Sequence, residues 1–115
     1  MKPLYRNFRS HFGGEVDIIC RDRKTLVFIE VKTRTSLEWA RPAAAVTAYK
    51  QRRIAKGAIN WMGMLDELPA TYRFDILEII IKDGKRPYFN LLRSAFLLPE
   101  NMMGPKAKKK KGVRS

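Results

Sequence analysis

The chain has 115 residues, of which 45% are hydrophobic, and its 24 Lys and Arg against 11 Asp and Glu give a formal net charge of +13. This length allows one domain, and the hydrophobic fraction is sufficient for one modest core, which excludes wholesale disorder. No apolar run approaches the roughly 20 residues that span a bilayer, so we expect no membrane partner. A single cysteine, Cys20, excludes an intrachain disulfide and fits a reducing compartment, which predicts a cytoplasmic protein.

The positive charge is partly concentrated at the C-terminus. Residues 104–115 carry six Lys and Arg and no acid, which leaves +7 for residues 1–103. We therefore divide the chain into a folded domain, residues 1–98, and a basic disordered tail, residues 99–115. Such a charge balance favours a polyphosphate, and nucleic acid is the expected partner. A solvated surface, or a ribosomal or anionic-membrane contact, is the alternative that charge alone leaves open.

The elements predicted from the sequence follow the order ββαββ. The four strands, in chain order, cover residues 16–20, 26–31, 72–82 and 88–92. Residues 4–8 form either a further short N-terminal edge strand or a flexible lead-in. Thr47 offers an N-cap for a helix that runs to about Leu65. The sequence thus predicts a small α/β domain in which one helix packs on a mixed sheet.

The first hairpin carries charged residues at its open end, on one strand face: Glu15, Asp17, Glu30 and Lys32. If residues 23–24 form a two-residue turn, Asp17 lies directly opposite Glu30, with Cβ atoms about 5 Å apart. Two carboxylates at that distance repel each other unless a cation lies between them. Mg²⁺ binds one or two carboxylates and keeps water and substrate phosphate as its other ligands. The pattern predicts a phosphodiester hydrolysis site, in which Lys32 orients or deprotonates the attacking water.

An exposed face with ordinary Glu–Lys pairs across the strands is the alternative interpretation of this hairpin. Ile19, Leu26 and Phe28 continue the same face toward the turn, and such apolar neighbours favour a half-buried site. The turn, residues 22–25, has no glycine, so a two-residue connection is strained there and the register is an inference.

The same residues resemble a known family. The chain resembles the core of the uncharacterised bacterial YraN family over roughly residues 5 to 97. The matching stretches are GEVDII (14–19), TLVFIEVKTR (25–34), AVT (45–47), KQRRI (50–54) and RFD (73–75). That family resembles the PD-(D/E)XK nucleases, notably archaeal Holliday-junction resolvases. The resemblance implies a restriction-endonuclease-like fold, with Mg²⁺ or Mn²⁺ bound by Asp17 and Glu30 and with Lys32 catalytic. Gln51 matches the helix glutamine that reaches the site in many members.

Family members normally begin with a helix that carries a GE-x-x-A-type motif, and we expect that helix to be absent ahead of residues 7–9. In related resolvases a glutamate of that helix joins the metal site, so catalytic competence is open. The expected function is a metal-dependent nuclease or nuclease-like protein acting on DNA, with branched DNA included. A non-catalytic nucleic-acid-binding module is the main alternative, and a basic assembly factor whose tail binds RNA is a third. Resolvases of this kind work as dimers, so a homodimer is also open.

Basic residues near the predicted site are expected to contact phosphate groups: Arg34, Lys50, Arg52 and Arg53. Simple surface charge is an equally good interpretation of these four. Asp75 either joins the site or only pairs with a nearby arginine. Cys20 lies on the apolar face of the hairpin, which indicates a buried structural thiol.

Overall fold

A computed structural model describes residues 1–35, 46–99 and 102. The elements, in chain order, are β1 (Lys2–Arg9), β2 (Glu15–Asp22), β3 (Thr25–Thr35), α1 (Ala48–Gly63), β4 (Thr71–Ile81) and β5 (Tyr88–Phe96). The strands form one sheet in the order β1-β2-β3-β4-β5, in which β3 and β4 are parallel and the other neighbours antiparallel. Helix α1 lies in the β3–β4 crossover that a parallel pair requires. This arrangement confirms the predicted small α/β, restriction-endonuclease-like fold, and the uncertain N-terminal segment is an eight-residue edge strand.

Within the described residues, no helix has both the length and the apolar character needed to cross a membrane.

The first hairpin has the predicted register. Its backbone pairs run from Asp22–Thr25 at the turn to Ile18–Ile29. Arg23, in the two-residue turn, has a φ of 59°. This left-handed conformation costs energy for a residue other than glycine, which confirms the expected strain in the turn.

Helix α1 begins where its N-cap predicts. The side-chain oxygen of Thr47 accepts a hydrogen bond from Lys50 N at 3.1 Å, which satisfies one of the free N–H groups of the first turn. The buried face of the helix consists of Ile54, Ala55, Gly57 and Ala58. It packs in one cluster with buried apolar side chains of β2, β3 and β4, which are Val16, Ile19, Leu26, Phe28, Phe74 and Ile76.

Two glycines let the helix approach the sheet. A Cβ added at Gly14 would collide with the backbone of Gly57, and a Cβ added at Gly57 would lie 2.9 Å from Val16 Cγ2. The β1–β2 connection and the middle of α1 are therefore in direct backbone contact. A side chain at either position would push the helix away from β2.

Asp75 has a structural position in β4. It is fully buried, accepts a hydrogen bond from Arg73 Nε at 3.0 Å, and accepts another from Ser94 N at 2.9 Å. The β4–β5 register shifts between Phe74 and Ile76, directly around this residue. The arginine-pairing interpretation of Asp75 is thus confirmed. Cys20, 7% exposed, is buried as predicted.

The C-terminal part of the described chain reaches the core. Met102 packs against the main hydrophobic cluster, and its N–H donates to Pro99 O at 2.9 Å. The other residues of the predicted tail beyond Pro99 lie outside the described residues, so the disordered tail stays a prediction.

Candidate active site

The site lies where β2 and β3 diverge. The backbone pairing of the two strands ends at Ile18–Ile29. Beyond it, Val31 N donates a hydrogen bond to Oδ2 of Asp17 at 2.8 Å instead of to the backbone of β2. This bond fixes Asp17 at the fork between the strands. Continuing the register by one position places Glu30 across from it. The structure thus brings together the two carboxylates that the sequence paired.

Glu30 is a buried carboxylate in an unfavourable environment. It is 9% exposed, and its Oε1 is buried without a hydrogen-bond partner among the described residues. Burial, and then the hydrogen bond and the charge of Asp17, raise the pKa of Glu30 to about 7, although Lys50 opposes this shift. A buried anionic oxygen without a partner costs free energy, and a bound cation would remove that cost.

Glu15 organises the cations around the site. Its Oε1 accepts hydrogen bonds from Arg53 Nε at 3.0 Å and from Lys50 Nζ at 3.3 Å, and its Oε2 lies 3.4 Å from NH1 of Arg9. The bond from Arg53, which outweighs burial, and the ammonium of Lys50 lower the pKa of the Glu15 carboxyl. Glu15 is therefore an ionised anchor for three basic side chains. The sequence placed it on the charged face and gave it no role.

Lys50 enters the acidic site from the helix. Its Nζ lies 3.6 Å from Oε2 of Glu30 as well as close to Glu15. Burial lowers the pKa of Lys50, but the charge of Glu30 and the hydrogen bond to Glu15 outweigh it, so the net shift is upward. The sequence grouped Lys50 with the phosphate contacts. In the structure it is a neighbour of the carboxylate pair.

Lys32 lies next to Glu30 along β3 and is half-buried. Both residues line a pocket of about 260 Å³ whose other lining residues are Val46, Thr47 and Lys50. Among the described residues, the side chain of Lys32 makes no hydrogen bond or ion pair. Its ammonium is therefore available to a ligand in this pocket.

Gln51 is held at the start of α1. Its Nε2 donates a hydrogen bond to Val46 O at 2.9 Å, and the side chain is half-buried. Among the described contacts, none joins Gln51 to the carboxylate pair. Its catalytic role stays a prediction.

The predicted phosphate contacts fall into different environments. Arg34 is buried, with 3% of its side chain exposed, and its NH1 lies 2.5 Å from Oε2 of Glu78 on β4. This burial favours a structural role for Arg34 over the predicted contact with nucleic acid. Arg52 is exposed on α1, whereas Arg53 is partly exposed and forms an ion pair with Glu15.

The donor set suits a hard divalent cation. Asp17 and Glu30 supply two carboxylates, and Oε1 of Glu30 has no other partner in the described structure. No group of three or more His, Cys, Asp or Glu side chains in the described ranges is placed to bind one metal ion. Two carboxylates with water and phosphate as further ligands match Mg²⁺ or Mn²⁺ and do not match a structural zinc site.

Together, the mixed five-stranded sheet, the crossover helix and the carboxylate pair at the β2–β3 fork define a restriction-endonuclease-like α/β domain. The profile described as Uncharacterised protein family UPF0102 matches residues 1–79. The chain belongs to this family, which is the YraN family.

Relatives in several bacteria support the assignment. A UPF0102 protein of Geobacter metallireducens is 47% identical over 97 residues, which cover 84% of this chain and 78% of the relative. A UPF0102 protein of Trichlorobacter lovleyi is 45% identical over 94 residues, covering 81% and 73%. One of Rhodococcus opacus is 43% identical over 96 residues, covering 84% and 80%. The family name states no activity, so the function is argued from the site.

Proposed function

We propose that this protein is a nuclease that uses Mg²⁺ or Mn²⁺ to hydrolyse phosphodiester bonds in DNA, with branched DNA as its substrate class. The observation that carries the proposal is the buried Oε1 of Glu30, which has no hydrogen-bond partner in the described structure and lies beside Asp17. A divalent cation between these carboxylates would satisfy both charges at once. DNA as the substrate also places the proposed activity in the cytoplasm.

The residues of the chain divide the work of hydrolysis. Asp17 and Glu30 would hold the metal, which would act as a Lewis acid toward a phosphate oxygen and lower the pKa of a bound water. Lys32, at the pocket beside Glu30, orients the attacking water or neutralises charge that develops on the phosphate. Lys50 keeps the second oxygen of Glu30 in place.

The surroundings of the site suit a phosphate backbone. Residues 1–103 carry a net charge of +7, and basic side chains of α1 line a groove from which Arg53 reaches Glu15 of the acidic site. Such a field attracts DNA and makes the affinity depend on salt. Phosphate contacts hold the backbone in position, which a hydrolytic site requires.

A non-catalytic nucleic-acid-binding module is the second candidate. The ion pair of Lys50 with Glu30 favours it, because an ammonium already compensates one oxygen of the carboxylate. The described residues also provide only two acidic metal ligands, without a third acidic group that would strengthen metal binding. In this case the acidic site is a remnant and the basic surface is the functional part.

The test uses linear duplex, flapped and four-way DNA with Mg²⁺, with Mn²⁺ and with EDTA. We expect metal-dependent cleavage that Glu30→Gln and Lys32→Ala each abolish, while the matched control Glu67→Gln, an exposed acid at the other end of the sheet, retains it. Cleavage that persists in Glu30→Gln would contradict the assignment of the site. Salt-sensitive binding without cleavage on any DNA would replace the nuclease with the binding module.

A further inference from the structure

We infer that a cationic groove beside the acidic site binds one unpaired nucleotide, with its base stacked on Tyr49. The inference rests on the proposed function and specifies its substrate, which is DNA with a single-stranded segment next to the cleaved bond. The family motif KQRRI supplies Arg52 and Arg53, but Tyr49 and Gly13 lie outside the family motifs, and only the fold brings these residues together as a groove. It is a feature of the tertiary structure.

The groove has about 220 Å³ and is lined by Gly13, Tyr49, Arg52, Arg53 and Lys56. Three of these five residues are cationic and none is acidic. Tyr49 is 63% exposed, so its ring is accessible to a ligand in the groove. Cations combined with an exposed ring are the usual composition of a surface that binds single-stranded nucleic acid.

The groove is directly connected to the acidic site. Arg53 lines the groove, and its Nε lies 3.0 Å from Oε1 of Glu15. The same oxygen contacts Lys50, whose Nζ is 3.6 Å from Glu30. Tyr49 directly precedes Lys50 in the first turn of α1, and Arg53, which lies over its ring, also contacts Glu15, so the groove and the acidic site share side chains.

The β1–β2 connection forms the opposite wall. Gly13, with a φ of 90°, lines the groove, and Phe12 beside it is 74% exposed. Gly14 fixes this connection against the backbone of Gly57, and Ser10 N donates to Gly14 O at 2.8 Å. Gly13 is thus held in place as the wall of the groove that faces α1.

Stacking on Tyr49 requires an unpaired base. The Arg53 guanidinium lies over the Tyr49 ring, 5.8 Å from its centroid, and a cation over a ring holds it in place. Within a duplex both faces of a base are already covered by its neighbours. A base at a flap, at a junction or in a single strand has a free face, and stacking on an aromatic side chain is favourable for any base.

The experiment measures fluorescence anisotropy of two labelled ten-unit strands in EDTA at one salt concentration. One is oligo-dT, and the other is an abasic strand with the same phosphates and no bases. We expect oligo-dT to bind about tenfold more tightly than the abasic strand. Tyr49→Ala should remove this preference and Tyr49→Phe should keep it. The control Phe89→Ala, with a similarly exposed ring (60%) on the sheet face away from α1, should also keep it.

Equal binding of the two strands by the wild-type protein, or an unchanged preference in Tyr49→Ala, overturns the inference. Cleavage assays separate this failure from failure of the proposed function. If flapped and fully paired DNA are cleaved at the same rate without dependence on Tyr49, the protein is a nuclease but the groove does not bind an unpaired nucleotide. If the preference for oligo-dT depends on Tyr49 but no DNA is cleaved, the groove binds unpaired nucleotides and the proposed nuclease activity is refuted.

Discussion

The Nζ atom of Lys50 lies 3.6 Å from Oε2 of Glu30, so a positive charge from the helix reaches the carboxylate that is expected to bind a metal. Lys50 and a divalent cation have charges of the same sign and compete for the same carboxylate. We therefore predict that Lys50→Met binds Mn²⁺ several-fold more tightly than the wild-type protein in the absence of DNA. Isothermal titration calorimetry measures this, with Lys56→Met, an exposed lysine of the same helix, as the control. Weaker Mn²⁺ binding by Lys50→Met would show that the ammonium supports the metal site.

Glu30 makes the stability of the protein depend on pH. Its pKa in the folded protein is about 7, above the ordinary value of 4.5, so the folded state holds a proton that the unfolded chain releases between these pH values. Stability therefore falls as pH rises from about 4.5 to about 7 and is not regained above that. We predict that Glu30→Gln in EDTA is more stable than wild type at pH 8, by up to about 3 kcal/mol, and nearly equal to it at pH 4.5.

Urea denaturation at both pH values measures the Glu30 effect, with Glu67→Gln as the matched substitution. Equal stability of the wild-type protein and Glu30→Gln at pH 8 would refute the predicted pH dependence.

The hydrogen bond from Val31 N to Asp17 Oδ2 gives Asp17 a structural role in addition to the proposed metal-binding role. Asn at this position keeps an oxygen that can accept the bond, whereas Ala does not. We predict that Asp17→Ala loses about 1–2 kcal/mol of stability and that Asp17→Asn loses less. Both substitutions remove the negative charge and should abolish Mn²⁺ binding. Thermal unfolding with and without Mn²⁺ separates the two roles, and equal destabilisation by both variants would contradict the structural one.

Gly57 permits the close approach of α1 to β2, because a Cβ there would meet Val16 and the backbone of Glu15. We predict that Gly57→Ala loses about 1–3 kcal/mol and also weakens Mn²⁺ binding, since β2 carries Asp17. Gly63→Ala is the control, because nothing lies within 4 Å of its added Cβ. At the end of the same helix it should be neutral or stabilising by up to about 1 kcal/mol. Equal losses from both substitutions would indicate a general effect on the helix.

Arg34 and Glu78 form a buried ion pair between the two parallel strands. Removal of one partner leaves the other charge buried, so we predict that Arg34→Ala loses about 3–5 kcal/mol. The double variant Arg34→Met/Glu78→Met should lose much less, because no charge is left behind. Chemical denaturation measures both. DNA affinity by anisotropy should be unchanged in the double variant and reduced in Arg52→Ala, and the opposite result would restore Arg34 as a phosphate contact.

Local patterns in the sequence were sufficient for the first hairpin and the start of the helix. Strand alternation and a two-residue turn specify which side chains share a face, and the observed Ile18–Ile29 pair continues directly to Asp17 and Glu30. Thr47 begins the helix because a side-chain oxygen there satisfies a free N–H group. Each of these features depends on residues that are close together in the chain.

Arg34 shows where local patterns fail. Its neighbours in sequence suggest an exposed basic residue, but β3 pairs in parallel with β4, and this places Arg34 beside Glu78, 44 residues away. The position of Lys50 likewise depends on how closely the helix packs. The glycine contact between Gly14 and Gly57 sets that distance, and no periodicity in the sequence reveals it.

The sequence alone thus determined the family motifs, the order of the elements from β2 to β5 and the pairing of Asp17 with Glu30, because alternation and turn length are short-range properties of the chain. Only the tertiary structure decided which cations enter the site, which arginine is buried, and that Tyr49 lines a groove beside the acids. Those outcomes depend on contacts between elements that are distant in sequence. Their geometry is fixed by packing of the whole domain rather than by any local pattern.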